Sequence, residues 1–115
     1  MWRSAQRMLL ATSALVPLGL APLAANPLGG QVVGGSATVS GAGTSAVTVT
    51  QSTQNAVINW NSFNIGNGEL TKFVQPNSSS TVLNRVTGNL GASQIYGTLS
   101  ANGRVFLINP NGVVV

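Results

Sequence analysis

Very few side chains in this sequence could perform acid–base, nucleophilic or metal chemistry. The 115 residues include no cysteine and no histidine, and Glu69 is the only acidic side chain. General acid–base catalysis by paired carboxylates needs two acids, and Ser-His-Asp or Cys-His sets need a histidine. Metal sites likewise draw on clusters of histidine, cysteine and carboxylate side chains. The sequence therefore predicts a non-enzymatic protein without a cofactor, and it argues against a calcium-dependent polysaccharide lyase.

The positive charge of the chain is spread thinly. The formal net charge is +4, but two of the cations, Arg3 and Arg7, lie near the amino terminus. The other three are scattered through the rest of the sequence, at Lys72, Arg85 and Arg104. Nucleic-acid binding surfaces instead cluster their basic residues on one face or along one helix. We therefore expect solvated surface charges and no nucleic-acid partner.

The amino-terminal segment has the order of a secretory signal peptide, with a basic start, an apolar middle and a small-residue exit. Two arginines precede an uncharged, leucine-rich stretch from Met8 to Ala25. A membrane span is the alternative, since about 18 apolar residues can just cross a bilayer. Two prolines interrupt the stretch and no basic cluster follows it, so we predict a signal peptide cleaved after Ala25. This divides the chain into residues 1–25, handled by the general secretory machinery, and a body of residues 26–115.

The body has strand composition and no helical periodicity. Short runs of Val, Ile, Thr and Phe alternate with Gly, Asn, Ser and Pro, which favour turns. The candidate strands are Gln31–Val33, Ala37–Ser40, Ala46–Gln51, Ala56–Trp60, Leu70–Gln75, Thr81–Val86, Gln94–Leu99, Arg104–Asn109 and Val113–Val115. Strands that recur about every ten residues predict an all-β protein, with a sandwich, a barrel and a β-solenoid as the alternatives.

Three features favour the solenoid. Asn and Gly suit tight corners, and the chain has 12 Asn and 13 Gly after residue 25. Charge is nearly absent, as expected where side chains face strands above and below them. Finally, Asn67–Asn77 and Asn102–Asn111 share a pattern of Asn-Gly, a charged residue, apolar residues, an amide and Pro-Asn. These segments start 35 residues apart and end 34 apart, so they predict stacked coils with that spacing.

The central segment predicts a bend within the core. Ile58 and Trp60 share one face of a candidate strand, whereas Phe63 and Ile65 are one residue out of phase with them. A phase change of one residue requires a bend or a bulge between the two pairs. We expect the aromatic side chains here, together with Phe73, to fill the core rather than to form a ligand platform.

The segment Asn109-Pro110-Asn111-Gly112 has the composition of a tight β-turn. Pro110 presets φ for the first corner position, and Asn111 and Gly112 accept positive φ. A turn needs these residue types whatever the protein does, so the tetrapeptide alone predicts a corner. The chain then stops within the candidate strand Val113–Val115, and we expect the 115 residues to be the front of a longer protein.

Four segments that follow one another in order are more specific than this turn alone. They are Ala56–Gly66, Phe73–Pro76, Val82–Val86 and Phe106–Gly112. In this order and spacing they strongly resemble the amino-terminal, two-partner secretion domain of filamentous haemagglutinin-like exoproteins, also called the haemagglutination activity domain. The resemblance covers residues 31–115.

The resemblance implies a right-handed parallel β-helix (a solenoid) with an amino-terminal β-cap, incomplete at its carboxy end. It implies recognition in the periplasm by a dedicated outer-membrane transporter, followed by export to the surface or outside of a Gram-negative-type cell. Members of the family are adhesins, haemolysins or contact-dependent inhibition toxins, so the resemblance also allows a host-cell surface ligand for the full-length protein. The family motif matches Asn109, Pro110, Asn111 and Gly112, which become the candidate transporter-recognition residues.

A second candidate motif falls at Gln75, Pro76 and Asn77, where some family members carry Asn-Pro-Asn-Leu. This sequence departs from that motif at Gln75 and Ser78, and the departure leaves a turn. The alternative function is that of a surface adhesin fragment that binds glycan or host protein directly. Exposed Asn, Thr and Ser side chains on a solenoid face would suit such binding.

Overall fold

The structure is a computed structural model that describes residues 26–115. Within this range the chain forms strands, turns and bends, which confirms the prediction of an all-β protein. No helix in this range is long and apolar enough to cross a bilayer. The predicted signal peptide, residues 1–25, lies outside the described residues. The strands are β1 (Gln31–Gly34), β2 (Ala37–Ser40), β3 (Ala46–Gln51), β4 (Asn55–Trp60), β5 (Leu70–Val74), β6 (Thr81–Val86), β7 (Ser93–Gln94), β8 (Thr98–Ala101), β9 (Arg104–Ile108) and β10 (Val113–Val114).

These strands form three sheets, none of which closes on itself. One sheet has the order β1-β4-β6-β9, the second has the order β2-β3-β5-β8, and β7 pairs with β10. The pairs along β3-β5-β8 and β4-β6-β9 are parallel, whereas β1 and β2 join their sheets antiparallel. The chain therefore passes three times through the same sheets, and each pass is called a coil. Coil 1 comprises residues 46–65, coil 2 residues 70–95 and coil 3 residues 98–114.

The spacing between stacked residues differs from the 34–35 residues that the sequence predicts. Contacting side chains of adjacent coils lie 22 residues apart for Asn89 and Asn111 and 24 apart for Gln51 and Gln75. The two similar segments do not stack on each other, because the first contains β5 and the second contains β9, which belong to different sheets. The prediction of that spacing is wrong. The similarity arises because two different corners use the same turn-forming residues.

The core lies between the sheets and is filled by alternate residues of the strands. Its buried apolar side chains are Val47, Val49, Ala56, Ile58, Trp60, Phe63, Ile65, Phe73, Val82 and Val86. Trp60 meets Phe63 edge to face with ring centroids 5.7 Å apart, and Phe63 stacks on Phe73 at 6.4 Å. Burying a large apolar side chain contributes about 1.5–3 kcal/mol. The prediction that these three aromatic side chains fill the core is confirmed.

The predicted bend after Trp60 is also confirmed. Strand β4 ends at Trp60, and Ser62 forms an antiparallel bridge with Leu28. The chain then turns Phe63 and Ile65 back into the core, where both are buried. Ile65 stacks on the following coil through a parallel bridge to Ile95.

One predicted strand, Gln94–Leu99, is wrong. The structure divides it into the end of β7 at Gln94 and the start of β8 at Thr98. The backbone N–H groups of Tyr96 and Gly97 both donate to the carbonyl oxygen of Ile65, at 2.8 and 2.9 Å, which turns the chain. A Cβ atom at Gly97 would lie 2.3 Å from the carbonyl oxygen of Gly66. Glycine is therefore required here, and it marks a corner inside the apparent strand.

The first described residues cover the amino end of the core. Asn26 is 1% exposed, and its side-chain amide donates to the carbonyl oxygen of Thr44 at 2.8 Å. The hydroxyl group of Thr71 donates to the Oδ1 atom of Asn26 at 3.0 Å. These bonds satisfy two buried polar side chains that would otherwise cost free energy.

Candidate recognition corners

The candidate motif residues lie at two different corners of the coils. The carboxy-terminal corner, Asn109–Gly112, joins β9 to β10 in coil 3. The central corner, Gln75–Ser80, joins β5 to β6 in coil 2. The structure therefore does not bring the two motifs together into one site, because they connect different pairs of sheets.

The carboxy-terminal corner is a turn that the side chain of its first residue reinforces. The backbone N–H of Asn111 donates to the Oδ1 atom of Asn109 at 2.9 Å. The backbone N–H of Gly112 donates to the carbonyl oxygen of Asn109, also at 2.9 Å. Gly112 has φ of 102°, in the region where glycine is favoured over other residues. Asn and Gly are thus used here for the geometry of the turn.

Hydrogen bonds hold the carboxy-terminal corner against coil 2, which precedes it in the chain. The Nδ2 atom of Asn109 donates to the carbonyl oxygen of Gly91 and to the Oγ atom of Ser93, both at 3.0 Å. The backbone N–H of Ser93 donates to the carbonyl oxygen of Gly112 at 2.9 Å. At the exposed side of the corner, the Nδ2 atom of Asn111 donates to the Oδ1 atom of Asn89 at 3.3 Å. Asn109 is half-buried by these contacts, whereas Pro110 and Asn111 are exposed.

The central corner differs from the carboxy-terminal corner because the side chain of its first residue lies inside the protein. Gln75 is 4% exposed. Its Nε2 atom donates to the Oε1 atom of Gln51 at 3.2 Å and to the carbonyl oxygen of Arg104 at 3.1 Å, with a longer contact of 3.4 Å to the carbonyl oxygen of Ser80. Its Oε1 atom accepts from the backbone N–H of Gly103 at 2.9 Å. Gln75 is therefore an interior residue that links three coils.

The residues of the central corner between Gln75 and the buried Ser80 are exposed and form their own turn. The backbone N–H of Ser79 donates to the Oδ1 atom of Asn77 at 2.9 Å. The Nδ2 atom of Asn77 donates to the Oε1 atom of Gln54 in coil 1 at 3.0 Å. Pro76 and Asn77 lie at the surface. All the groups that bond at both corners are neutral amides, hydroxyls and carbonyls, so salt has little electrostatic effect on them.

Sequence reasoning missed two buried amides that hold the coils together. Gln51 is 3% exposed and follows Val47 and Val49 on the inward face of β3. Asn84 is fully buried in β6, where its Oδ1 atom accepts from the Nε1 atom of Trp60 at 2.9 Å. The signal that could have found them is their phase, since each amide occupies a position that alternates with buried apolar residues.

Residues 26–115 have no surface pocket and no group of three or more His, Cys, Asp or Glu side chains that could hold a metal ion. What the structure offers instead is a stack of polar corners and short parallel strands. Such a surface is suited to contacts with another macromolecule through backbone and amide groups.

Comparison with known families identifies the class of protein. The model of the TPS (two-partner) secretion domain matches residues 24–115, so this chain belongs to the TPS secretion domain family. Domains of this family are parts of exoproteins that Gram-negative bacteria secrete.

Two curated relatives and one solved structure resemble this chain in particular. It is 48% identical over 79 residues to a heme/hemopexin-binding protein of Haemophilus influenzae strain Rd, and 45% identical over 78 residues to a second heme/hemopexin-binding protein of that species. These matches cover 69% and 68% of this chain but only 8% of each relative. The crystal structure of the HMW1 secretion domain from Haemophilus influenzae matches with a TM-score of 0.69 at 45% identity. That match covers 76% of this chain and 23% of the solved chain.

Proposed function

We propose that residues 26–115 belong to the secretion-targeting domain of a filamentous haemagglutinin-like exoprotein. In this role the domain is recognised by the periplasmic domains of a dedicated outer-membrane transporter and performs no catalysis. The observation that carries the proposal is the match of residues 24–115 to the TPS secretion domain family. The likeness to the HMW1 secretion domain supports it over 76% of the chain.

The proposal includes a right-handed parallel β-helix with an amino-terminal β-cap, of which this chain holds the first part. The three parallel coils support the helix, and the antiparallel strands β1 and β2 at one end support the cap. Residues 1–25 act as a signal peptide that the general secretory machinery reads and removes. The route is then from the periplasm through the outer membrane to the cell surface or the medium.

We assign different parts of the family motif to different tasks. Asn109 and Gly112 shape the carboxy-terminal corner, because their atoms form its turn and its contacts with coil 2. Pro110 and Asn111 are exposed and are therefore the residues that a transporter could contact. At the central corner, Gln75 serves the interior, and of the candidate motif residues Pro76 and Asn77 are available at the surface, beside the exposed Ser78 and Ser79.

The physical mechanism starts from an extended chain in the periplasm. Unpaired strands offer backbone N–H and C=O groups, which the transporter can bind by adding a strand to its own sheet. Folding of the coils outside the cell then opposes backward movement, because the folded core buries about ten large and small apolar side chains that the extended chain exposes.

The test is to express the protein with and without the transporter gene and to measure the amount in the medium. We expect extracellular protein only when the transporter is present, and accumulation or degradation in the periplasm when it is absent. Equal extracellular amounts in the two strains would contradict the proposal. A chain whose signal segment is intact but whose body is replaced by an unrelated β protein is the matched control.

A second candidate function is direct binding of glycan or host protein by this part of an adhesin. The observation that favours it is a row of hydroxyl groups on the outer face of the sheet β2-β3-β5-β8. Thr38 pairs with Thr50, and Ser40 pairs with Thr48, on adjacent strands. Binding of the purified full chain to erythrocytes or a glycan array, lost when Thr38 and Thr50 are both replaced by Ala, would support this candidate. Unchanged binding by that double variant would remove the support.

A further inference from the structure

Two buried glutamine side chains form a continuous row along the coils. Gln51 lies at the end of β3 in coil 1, and Gln75 lies in the equivalent place in coil 2, 24 residues later. In coil 3 the backbone N–H of Gly103 continues the row by donating to Gln75. A Cβ atom at Gly103 would lie 2.8 Å from the Cδ atom of Gln75, so glycine leaves room for the amide.

Each glutamine makes hydrogen bonds to the coil that follows it in the chain, and Gln75 also donates back to Gln51 in coil 1. The Nε2 atom of Gln51 donates to the carbonyl oxygen of Thr81 in coil 2 at 3.0 Å, and its Oε1 atom accepts from Gln75. The Nε2 atom of Gln75 donates to Arg104 in coil 3, and its Oε1 atom accepts from Gly103. Because both side chains are almost fully buried, an amide without these partners is costly. The Nε2 atom of Gln51 also donates to the carbonyl oxygens of Thr53 and Gln54 in its own coil, so it is the Oε1 atoms of the two glutamines that gain their donors only when the next coil docks.

A side chain of coil 3 adds a second pair of bonds at the same level. The Oδ1 atom of Asn102 accepts from the backbone N–H of Gln75 at 2.7 Å. Its Nδ2 atom donates to the carbonyl oxygen of Gln75 at 2.8 Å. Asn102 thus pairs with the backbone of coil 2 at the residue whose side chain reaches coil 3.

The apolar core cannot by itself choose the alignment of adjacent coils. In β6 the inward residues include Val82 and Val86, and in β9 they are Val105 and Leu107. A shift of two residues between these strands keeps every apolar side chain on the inward face, since side chains alternate with a period of two. The buried amides do distinguish the correct register from a shifted one, because a shift of two residues would move their hydrogen-bond partners along the strand by about 6–7 Å.

We propose that Gln51 and Gln75 fix the register in which each following coil docks, so that the coils assemble correctly from the amino end onward. A two-residue slip leaves the Oε1 atoms of both glutamines without the donors that they have in the correct register. This role is independent of the transporter and is a property of folding alone.

Cysteine cross-linking can test the register directly, because the sequence has no native cysteine. Leu83 and Phe106 are paired in register on the outer face of β6 and β9. The double variant Leu83→Cys with Phe106→Cys reports the correct alignment. Two other double variants, Leu83→Cys with Arg104→Cys and Leu83→Cys with Ile108→Cys, report a slip of two residues. In correctly aligned strands the Cα atoms of these pairs are farther apart than the limit of about 7 Å for a disulfide. The full chain is unfolded in denaturant, refolded and oxidised, and the cross-links are quantified by mass spectrometry.

We expect the ratio of slipped to correct cross-links to rise several-fold when Gln75→Leu is added to these pairs. The matched control is Thr71→Val, which removes a buried polar group whose bond runs back to Asn26 rather than forward. It should lower stability and leave the ratio unchanged. An unchanged ratio in Gln75→Leu would overturn the proposal, and so would an equal rise in Thr71→Val.

A second variant keeps the proposal testable if Gln75→Leu does not fold. Gln51→Leu asks the same question one coil earlier, with Val57→Cys and Leu83→Cys as the correct pair. Val57→Cys with Arg85→Cys reports the slip between coils 1 and 2. A several-fold rise of that slipped pair supports the proposal, and a constant ratio contradicts it.

Discussion

The central corner and the carboxy-terminal corner have nearly the same sequence, Gln-Pro-Asn and Asn-Pro-Asn, and yet they differ in burial. Gln75 is 4% exposed and contacts both the coil before it and the coil after it. Asn109 is half-buried and, apart from the bonds within its own turn, the hydrogen bonds of its side chain go to the preceding coil. Both first residues follow strands whose alternate side chains point inward. The difference in burial therefore comes from the neighbouring coils, and the turns also begin at different residues, Asn77 at the central corner and Asn109 at the carboxy-terminal corner.

The comparison shows that a motif can hold one residue for the fold and present the next residue to a partner. At both corners the proline and the following asparagine are exposed, whereas the amide before the proline is used within the protein. Substitutions along the two motifs should therefore separate effects on stability from effects on secretion.

The largest loss of stability should come from Gln75→Ala. This change removes the partners of the Oε1 atom of Gln51, the carbonyl oxygen of Arg104 and the N–H of Gly103. Leaving buried groups unpaired costs about 1–3 kcal/mol each, so we expect a loss on the order of 3 kcal/mol in the free energy of unfolding. Urea denaturation followed by circular dichroism measures it. Pro76→Ala, at the exposed next position, is the control, and equal losses in the two variants would refute this view of the corner.

Alanine substitutions at two glycines should separate the cost of steric crowding from the cost of backbone strain. A Cβ atom at Gly103 would lie 2.8 Å from Gln75 and 2.9 Å from the carbonyl oxygen of Asn77, and overpacking of this kind costs about 1–3 kcal/mol. At Gly112 the nearest neighbour would be 3.9 Å away, but φ of 102° strains any other residue by about 1–2 kcal/mol. We expect Gly103→Ala to lower the free energy of unfolding more than Gly112→Ala. The reverse order would show that strain, and not space, dominates at these corners.

Asn109→Ala should have an intermediate effect on stability. The change removes the donor to Gly91 and Ser93 and the acceptor for the N–H of Asn111. Because the site is partly exposed, water replaces some of these bonds, and we expect a loss of about 1 kcal/mol. Thermal unfolding of the variant beside Gln75→Ala checks the ranking. A loss as large as that of Gln75→Ala would mean that the two corners are equally important to the fold.

The smallest effect on stability, with the clearest effect on secretion, should come from Asn111→Ala. Its side chain is exposed and makes one hydrogen bond of 3.3 Å, so the free energy of unfolding should change by no more than about 0.5 kcal/mol. If a transporter contacts this corner, the amount of protein in the medium should nevertheless fall. Asn89→Ala, which removes the same hydrogen bond from the other side and leaves Asn111 in place, is the matched control. Normal secretion of Asn111→Ala would exclude this side chain from recognition.

Local sequence predicted much of the fold because its rules act between near neighbours. Alternation placed Ile58 and Trp60 on the inward face, and the phase change after Trp60 predicted the bend that the structure contains. The apparent strand Gln94–Leu99 failed for a reason that lies elsewhere in the chain. Gly97 must pass close to the backbone of Gly66, a contact that no local pattern records.

The sequence by itself determined the all-β class, the position of most strands, the aromatic core and the membership of a secretion family, because periodicity, turn residues and ordered motifs are properties of the chain. Tertiary structure alone decided which residues stack on which. The repeated pattern at Asn67–Asn77 and Asn102–Asn111 predicted a spacing that the coils do not have. The row from Gln51 through Gln75 to Gly103 became visible only once the coils were aligned. Which residues come into contact depends on the number of residues in each coil, and this number differs from one coil to the next. It is set by the place at which each corner finds hydrogen-bond partners in the coil beside it.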